Sequence, residues 1–319
     1  MKYTHIRQFI FLGILIISLG SCRNIGGELI KKMPTENSAF HFPYFLFLPE
    51  SMSTSENIHL IVEPNNSGFV SDDLQKHEEK AERQATKKFY TGNYIARKLK
   101  YPLLIPVFPR SEKEWRIYTH ALDRDAIMQK DNDLERIDLQ MLAMVEDARN
   151  KLHELGFTVE EKILMTGFSA SGTFVNRFAF IHPDKVQAYA VGGVNGLLIL
   201  PLDTLEGESL NYPIGNHDFR SLFGKPFNSV AFKNLPQFLF MGELDDNDAI
   251  PYDDAFDEDE RQLIYHVLGE KMHTLRWENC QRVYAEKNIN AEFKTYRDLG
   301  HEQPEMVKED ILEFFQQHL

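Results

Sequence analysis

The sequence predicts an α/β protein with a doubly wound, mostly parallel sheet flanked by helices. Short apolar runs recur along the 319-residue chain, and segments with helical spacing lie between them. Several runs are continuously apolar, as strands buried on both faces are. Strands that alternate with helices form parallel sheets covered on both sides. The predicted strands are residues 45–48, 59–62, 103–108, 162–166, 188–191, 237–241 and 291–296.

The segments between these runs carry the patterns of helices. In residues 135–153 the apolar side chains recur on one helical face and the charged ones lie elsewhere. The last helix, predicted over 304–317, offers a similar apolar face to the core. Residues 73–99 and 258–287 are longer and highly charged, which favours helices on the outside of the molecule.

The N-terminus has the pattern of an export signal. Lys2 and Arg7 precede an apolar run at 9–19, which suits a signal-peptide core and is shorter than the ~20 residues of a spanning helix. The run ends in Leu-Gly-Ser-Cys at Cys22, which resembles a bacterial lipobox. The resemblance implies a lipid anchor at Cys22 and a place in the cell envelope. Arg23 stands where an Asp would signal inner-membrane retention, so the outer membrane is favoured.

The chain is therefore divided into three parts. We expect a lipoprotein signal peptide at 1–21, a polar tether at 22–40, and a single α/β domain at 41–319. If Cys22 is acylated, Cys280 has no intramolecular partner, and a lone Cys in a helical stretch is most often a small buried side chain.

The charge of the chain excludes several classes of protein. A formal net charge of −13 leaves no basic face for nucleic acid. Residues 245–260 hold nine Asp or Glu and no Lys or Arg, which predicts a solvated acidic loop. Ala249 and Ile250 break the EF-hand pattern there. A metal-dependent hydrolase is disfavoured because His266 is the one histidine nearby.

Two segments do not fit the alternation of strands and helices. Residues 109–133 and 195–235 are long and rich in turn formers and aromatic side chains. Long loops in a compact domain are usually functional, as lids or as walls of a binding site. They either shape a pocket at the C-terminal edge of the strands or are structural additions.

The motif that carries the chemistry is Gly-Phe-Ser-Ala-Ser-Gly at 167–172. An apolar strand leads into it and a helix follows, so the turn holds Ser169 in a strained conformation with its side chain exposed. This resembles the nucleophile elbow of the α/β-hydrolase family, and most closely its depolymerase and feruloyl-esterase branch. Family members often have Gly where Ser171 stands, and serine is small enough to replace it.

The resemblance implies that an acid and then a histidine follow the nucleophile along the chain. The strand at 237–241 runs into Gly-Glu-Leu-Asp, which places Asp245 in the family's Gly-x-x-Asp turn, with Asp248 as the alternative acid. His301 follows the last strand in a Gly-His pair before the final helix, which is the family's position for the base. His266 and His273 lie in a charged helical stretch and are interpreted as surface or packing residues.

The oxyanion of an acyl-transfer reaction also needs hydrogen-bond donors. The resemblance implies that one is the backbone N–H of Ala170 and that the other lies in the loop after an early strand. That loop reads Pro-Asn-Asn at 64–66, where family members often have His-Gly-Gly. Either Asn can donate through its backbone, with help from a side-chain amide, and Asn66 is slightly favoured.

The favoured function is a lipid-anchored serine hydrolase, most simply a carboxylesterase for small or polymeric esters. The resemblance implies that Ser169 attacks, His301 takes the proton and Asp245 orients the histidine, with no metal or organic cofactor. A peptidase or amidase uses the same triad. A non-catalytic ligand-binding lipoprotein is the alternative from another class, although such a protein would be expected to lose Ser169 or His301.

Overall fold

A computed structural model describes residues 26–319 of the chain. The predicted signal peptide at 1–21 and the predicted lipidation site Cys22 lie outside the described residues. Across the part that is described, every helix is too short or too polar to cross a membrane.

The described chain forms one large sheet and two small ones. The strands are β1 (Gly27–Lys32), β2 (Tyr44–Pro49), β3 (Asn57–Ile58), β4 (Ile61–Val62), β5 (Leu103–Pro106), β6 (Thr158–Val159), β7 (Ile163–Phe168), β8 (Val186–Gly192), β9 (Thr204–Leu205), β10 (Glu208–Ser209), β11 (Gln237–Gly242) and β12 (Ala291–Tyr296). Eight of them form the main sheet in the order β1-β2-β5-β4-β7-β8-β11-β12. The β1–β2 and β2–β5 pairs are antiparallel and the others are parallel. The predicted fold class is confirmed.

The first strand corrects the predicted domain boundary. β1 pairs with β2 along its whole length, with Leu29 opposite Phe47, so this part of the predicted tether at 22–40 belongs to the sheet. The sequence resembles a linker because Glu28 and Lys31 interrupt it, and charged side chains are typical of an edge strand. The folded domain therefore begins before residue 41.

Helices cover both faces of the main sheet. They are α1 (Leu74–Thr86), α2 (Thr91–Leu99), α3 (Arg124–Ile127), α4 (Ile137–Glu154), α5 (Ala170–Ile181), α6 (Phe219–Phe223), α7 (Ser229–Asn234), α8 (Glu258–Leu268), α9 (Glu278–Glu286) and α10 (Glu305–Gln317). Alternate residues of β2 pack into opposite cores, with Phe47 on the face that α1, α2 and α10 cover and Leu46 on the face that α4, α5 and α9 cover. Cys280 is fully buried in the second of these cores.

The two long charged segments are helical, as predicted, and each is divided into shorter helices. Residues 73–99 form α1 and α2, because Lys87 is extended and ends the first helix. Residues 258–287 form α8, a π-helical turn at Met272–Trp277, and α9. Gly269, with a φ of 96°, ends α8 in a conformation that L side chains rarely adopt.

The parallel strands bring the candidate residues to one edge. Ser169 follows β7, Asp245 follows β11 and His301 follows β12. Because these strands are parallel, their carboxyl ends lie at the same edge of the sheet, where open α/β sheets bind their ligands. The segment 109–133 follows β5 and reaches this edge too.

The segment 195–235 is mainly structural. It holds the β9–β10 hairpin and helices α6 and α7. Phe219, Phe227 and Phe232 from this segment pack around Phe180 of α5, with ring centroids 4.2–5.9 Å from it. This aromatic cluster packs against the C-terminal end of α5, whereas Ser169 lies at the N-terminal end.

Candidate active site

Ser169 lies in the turn between β7 and α5. Its φ of 59° and ψ of −130° belong to a region that residues other than glycine rarely adopt, so the turn is strained. The backbone N–H of Ser169 donates to Gly192 O at 3.0 Å, and α5 begins at the next residue. The side chain lines a cavity of about 690 Å³. The strain is thus located at the residue that the motif singled out.

Ser171 fits the turn and stabilises it. Its Oγ accepts a hydrogen bond from the Phe168 N–H at 3.0 Å and donates to Phe168 O at 2.9 Å. A Cβ on Gly167 would collide with the Ser171 carbonyl, and one on Gly172 would press on Gly192 O. Ser171 therefore stabilises the turn, while Gly167 and Gly172 permit the close approach of the backbones.

Asp245 and His301 form a direct pair. His301 Nδ1 lies 2.9 and 3.0 Å from the two carboxylate oxygens of Asp245, which is only 3% exposed. A carboxylate accepts, so Nδ1 carries the proton and Nε2 is left with its lone pair. Asp245 also accepts the N–H of Asn247 at 3.0 Å. The pair has the tautomer and the orientation that a general base needs.

Asp248, the alternative acid, is committed elsewhere. Its carboxylate forms an ion pair with Arg276, whose side chain is fully buried, and it accepts the N–H of Ile250. The carboxylate that accepts the hydrogen bond from His301 Nδ1 is that of Asp245. The geometry therefore brings Asp245, and not Asp248, to the histidine.

Asn247 occupies the other nitrogen of the histidine. Its Nδ2 lies 3.2 Å from His301 Nε2, and the His301 ring packs on Phe168 with centroids 4.5 Å apart. Within residues 26–319, no hydrogen bond joins Ser169 Oγ to His301. Catalytic hydrogen bonds often form only with substrate bound. In this structure His301 Nε2 is therefore occupied by Asn247.

His273 lies closer to the site than the sequence suggested. Its Nε2 donates to the main-chain oxygen of Asp245, from the π-helical turn that precedes α9. His273 is thus a packing residue that contacts the site, whereas His266 is exposed on α8. His273 holds the backbone of the residue that orients His301.

The two predicted oxyanion donors differ in availability. Ala170 is the first residue of α5, so its N–H has no acceptor within the helix. The backbone N–H of Asn66 donates to Gln84 Oε1 at 3.2 Å, so in this structure that N–H already has an acceptor. Its side-chain Nδ2 lies 3.4 Å from Phe168 O and the residue lines the cavity. The amide side chain of Asn66 therefore lies at the cavity, next to the turn that carries Ser169.

The cavity is walled by the segments 109–133 and 245–260. Arg110, Trp115 and Tyr118 come from the first, whereas the segment 195–235 contributes Asn195. The acidic segment is not simply solvated, because several of its side chains line the cavity and form ion pairs. These pairs are Asp248–Arg276, Asp253–Arg261 and Asp254–Arg110. The acidic residues of this segment that line the cavity are thus neutralised by arginine side chains.

Behind the oxyanion loop lies a buried carboxyl group. Glu63 is 5% exposed and accepts hydrogen bonds from the Gly92 N–H at 2.9 Å and from Gln84 Nε2 at 3.5 Å. Gln84 in turn accepts from the backbone N–H of Asn66, so the Glu63 and Gln84 side chains hold the backbone of this loop. Burial raises the pKa of Glu63 to about 7. The group is therefore partly protonated at neutral pH.

The two acid candidates can be separated by substitution. Asp245→Asn should lower kcat by about 10³–10⁴-fold with the fold intact, because the histidine loses its orienting charge. Asp248→Asn should instead lower the free energy of unfolding, because Arg276 is left buried and unpaired. The measurements are ester turnover at low temperature and urea unfolding of both variants. The opposite pattern would assign the acid to Asp248.

Glu63 should make stability depend on pH. Its folded pKa of about 7 lies above its ordinary value of 4.5, so between these values the folded state holds a proton that the unfolded state releases. The wild type should lose this contribution as pH rises through that window. Glu63→Gln cannot titrate, so between pH 5 and 8 its free energy of unfolding should gain about 1–3 kcal/mol relative to wild type.

Urea unfolding at the two pH values measures this difference. The exposed Glu28 on β1 provides the control, and Glu28→Gln should give the same difference from wild type at both values. A Glu63→Gln difference that does not change with pH would contradict the raised pKa.

Solved structures share this fold. A poly(aspartic acid) hydrolase-1 from Sphingomonas sp. KT-1 is similar with a TM-score of 0.58 and 15% identity, over 90% of this chain and 96% of that one. A poly(3-hydroxybutyrate) depolymerase from Bordetella parapertussis has a TM-score of 0.54 and 15% identity, over 92% and 89%. A fluorophosphonate-binding serine hydrolase from Staphylococcus aureus has a TM-score of 0.50 and 14% identity, over 90% and 98%.

Comparison of the amino-acid sequence with known proteins identifies no relative. No protein-family model matches the chain, and no curated protein does. The structural likeness extends over about nine-tenths of the chain and nearly all of each of the three solved proteins. Together with the order and direction of its strands, this likeness shows that the chain has the α/β-hydrolase fold.

Proposed function

We propose that this chain is a serine hydrolase that acts on carboxylic esters. The observation that supports it most is the Asp245–His301 pair, in which both carboxylate oxygens lie within 3.0 Å of Nδ1. This pair stands beside a strained turn that opens Ser169 onto a cavity of about 690 Å³. A base in a fixed tautomer next to an exposed serine is what nucleophilic acyl transfer requires.

Each step assigns one task to each residue. Ser169 Oγ bonds to the ester carbonyl carbon while its proton passes to His301 Nε2, and Asp245 stabilises the imidazolium. The tetrahedral adduct then breaks its bond to the alcohol oxygen, which takes the proton from His301. A water molecule repeats the sequence on the acyl-enzyme, so that the carboxylic acid leaves and Ser169 regains its proton. None of these steps needs a metal ion or an organic cofactor.

The developing oxyanion would be held by two different donors. The first is the N–H of Ala170, which the start of α5 leaves open. The second is Nδ2 of Asn66, which lies 3.4 Å from Phe168 O in this structure. Loss of one such donor typically costs about 10²–10³ in kcat. The Glu63–Gln84 contact keeps the loop that carries Asn66 in place.

The substrate class is an ester, small or polymeric. Two of the solved proteins that share the fold act on polymers by name, a poly(aspartic acid) and a poly(3-hydroxybutyrate). In this chain Trp115 is 40% exposed and Tyr252 is 65% exposed, and both line the cavity. Exposed aromatic rings at the cavity opening can bind the part of a polymeric substrate that extends beyond the cavity.

The proposed location is the cell envelope, with a lipid anchor at Cys22 in the outer membrane. The support is the basic start, the apolar run at 9–19 and the lipobox-like ending. Because β1 begins at Gly27, five residues after Cys22, the connection spans at most about 18 Å when extended. The domain would be held close to the membrane surface.

Paired substrates test the reaction. Wild type should hydrolyse p-nitrophenyl butyrate, and p-nitrobutyranilide far more slowly, because an amine is a poorer leaving group than a phenol. Ser169→Ala should lower the ester kcat/KM by at least about 10³-fold. Faster cleavage of the anilide would favour a peptidase or amidase. A folded protein that cleaves neither would favour the ligand-binding lipoprotein.

Membrane fractionation tests the anchor. Full-length protein should sediment with membranes and yield a mature chain that begins with an acylated Cys22. Cys22→Ser should appear in the soluble fraction or as an unprocessed precursor, because the acylated thiol is gone. A Cys22→Ser variant that keeps the normal mature mass and still sediments with membranes would contradict the lipobox.

A further inference from the structure

The cavity beside Ser169 is lined by a buried arginine with unused donors. Arg177 lies on α5 and is 3% exposed. Its NH1 donates to Ala121 O at 3.0 Å, and its guanidinium faces the Phe256 ring. Among residues 26–319 it has no other hydrogen bond and no ion pair. A guanidinium carries several more N–H groups, and these have no acceptor in the described protein.

Every other charged side chain of this cavity is paired. Asp248, Asp253, Asp254 and Arg110 each take part in an ion pair. Arg177 is therefore the one lining charge, among the described residues, that lacks a counter-ion. A buried charge without a partner is costly, and an anion in the cavity would remove that cost.

Two carboxyl groups near Arg177, those of Asp123 and Glu260, do not act as its counter-ion. Asp123 accepts the N–H groups of Tyr118 and Ala126, and Glu260 accepts the N–H of Asp257. Burial raises the pKa of Asp123 and that of Glu260 to about 7, so both are partly protonated at neutral pH. Neither lies within ion-pair distance of the guanidinium.

The arginine is aligned with the nucleophile. Ser169, Thr173 and Arg177 are spaced by four residues, so they lie along one side of α5. Thr173 Oγ1 is buried without a hydrogen-bond partner, and Thr173 also lines the cavity. The Cα atoms of Ser169 and Arg177 are about 12 Å apart at helical rise. Long side chains on a helix point towards its N-terminus, which is the end of α5 next to Ser169.

We propose that the cavity selects esters whose acyl group ends in a carboxylate, that is, half-esters of short dicarboxylic acids. Arg177 is the specificity-determining residue and binds the carboxylate through two N–H groups, the geometry that guanidinium and carboxylate prefer. Thr173 meets the acyl chain between the two ends. The inference rests on the proposed function, because it assumes that the ester carbonyl binds at Ser169 and that the acyl chain extends from there to Arg177.

The test compares a charged ester with a neutral one of the same length. The probes are p-nitrophenyl hemiglutarate and its methyl ester, and the readout is the ratio of their kcat/KM values. Wild type should favour the carboxylate at least about tenfold. Arg177→Met should bring the ratio close to one. Arg282→Met removes the same charge from the exposed face of α9, so it should keep the wild-type ratio.

Binding supplies a second readout that does not need turnover. Ser169→Ala should bind free glutarate in a calorimeter, and the Ser169→Ala/Arg177→Met protein should not. The wild-type ratio and the Ser169→Ala measurement remain decisive if Arg177→Met fails to fold.

Each failure has its own signature. A wild type that hydrolyses the neutral ester equally well, or an Arg177→Met protein that keeps the preference, overturns the carboxylate site and leaves the hydrolase standing. Glutarate binding to Ser169→Ala without hydrolysis of any ester by wild type would support the anion site and contradict the proposed reaction.

Discussion

The arrangement of this site depends on the strained turn that joins β7 to α5. A residue in such a conformation costs about 1–3 kcal/mol and persists only where its surroundings hold it. Here Ser171 bonds both backbone groups of Phe168, and Gly192 O accepts the Ser169 N–H. The contact with Gly192 exists because Gly192 ends β8, which lies next to β7 in the parallel sheet. The same turn starts α5, which carries Thr173 and Arg177 along the cavity.

The proposed acid and base depend on a second close approach. Gly242 ends β11 against the Leu299 and Gly300 carbonyls, where a Cβ would collide. This contact brings the loops that carry Asp245 and His301 together. Asp245 is then held by His273 on its carbonyl and by the Asn247 N–H on its carboxylate. A buried carboxylate with these partners can orient the imidazole without reorganising during the reaction.

The sequence predicted those parts of the molecule that local patterns encode. The apolar runs and the Gly-x-Ser turn follow from neighbouring residues, and the family resemblance implied the order of Ser169, Asp245 and His301. The features it missed depend on contacts between distant segments. Gln84 takes the Asn66 N–H across 18 positions, and His273 reaches Asp245 across 28. The spacing of Ser169, Thr173 and Arg177 was visible in the sequence, but which side of α5 faces a cavity was not.

Covalent labelling tests the central claim, that His301 activates Ser169, most directly. Purified protein would be treated with a fluorophosphonate, and the modified peptide would be identified by mass spectrometry. The account predicts one adduct, on Ser169, whose rate of formation falls by about 10³-fold or more in His301→Ala. An adduct on another residue, or an undiminished rate in His301→Ala, would contradict it.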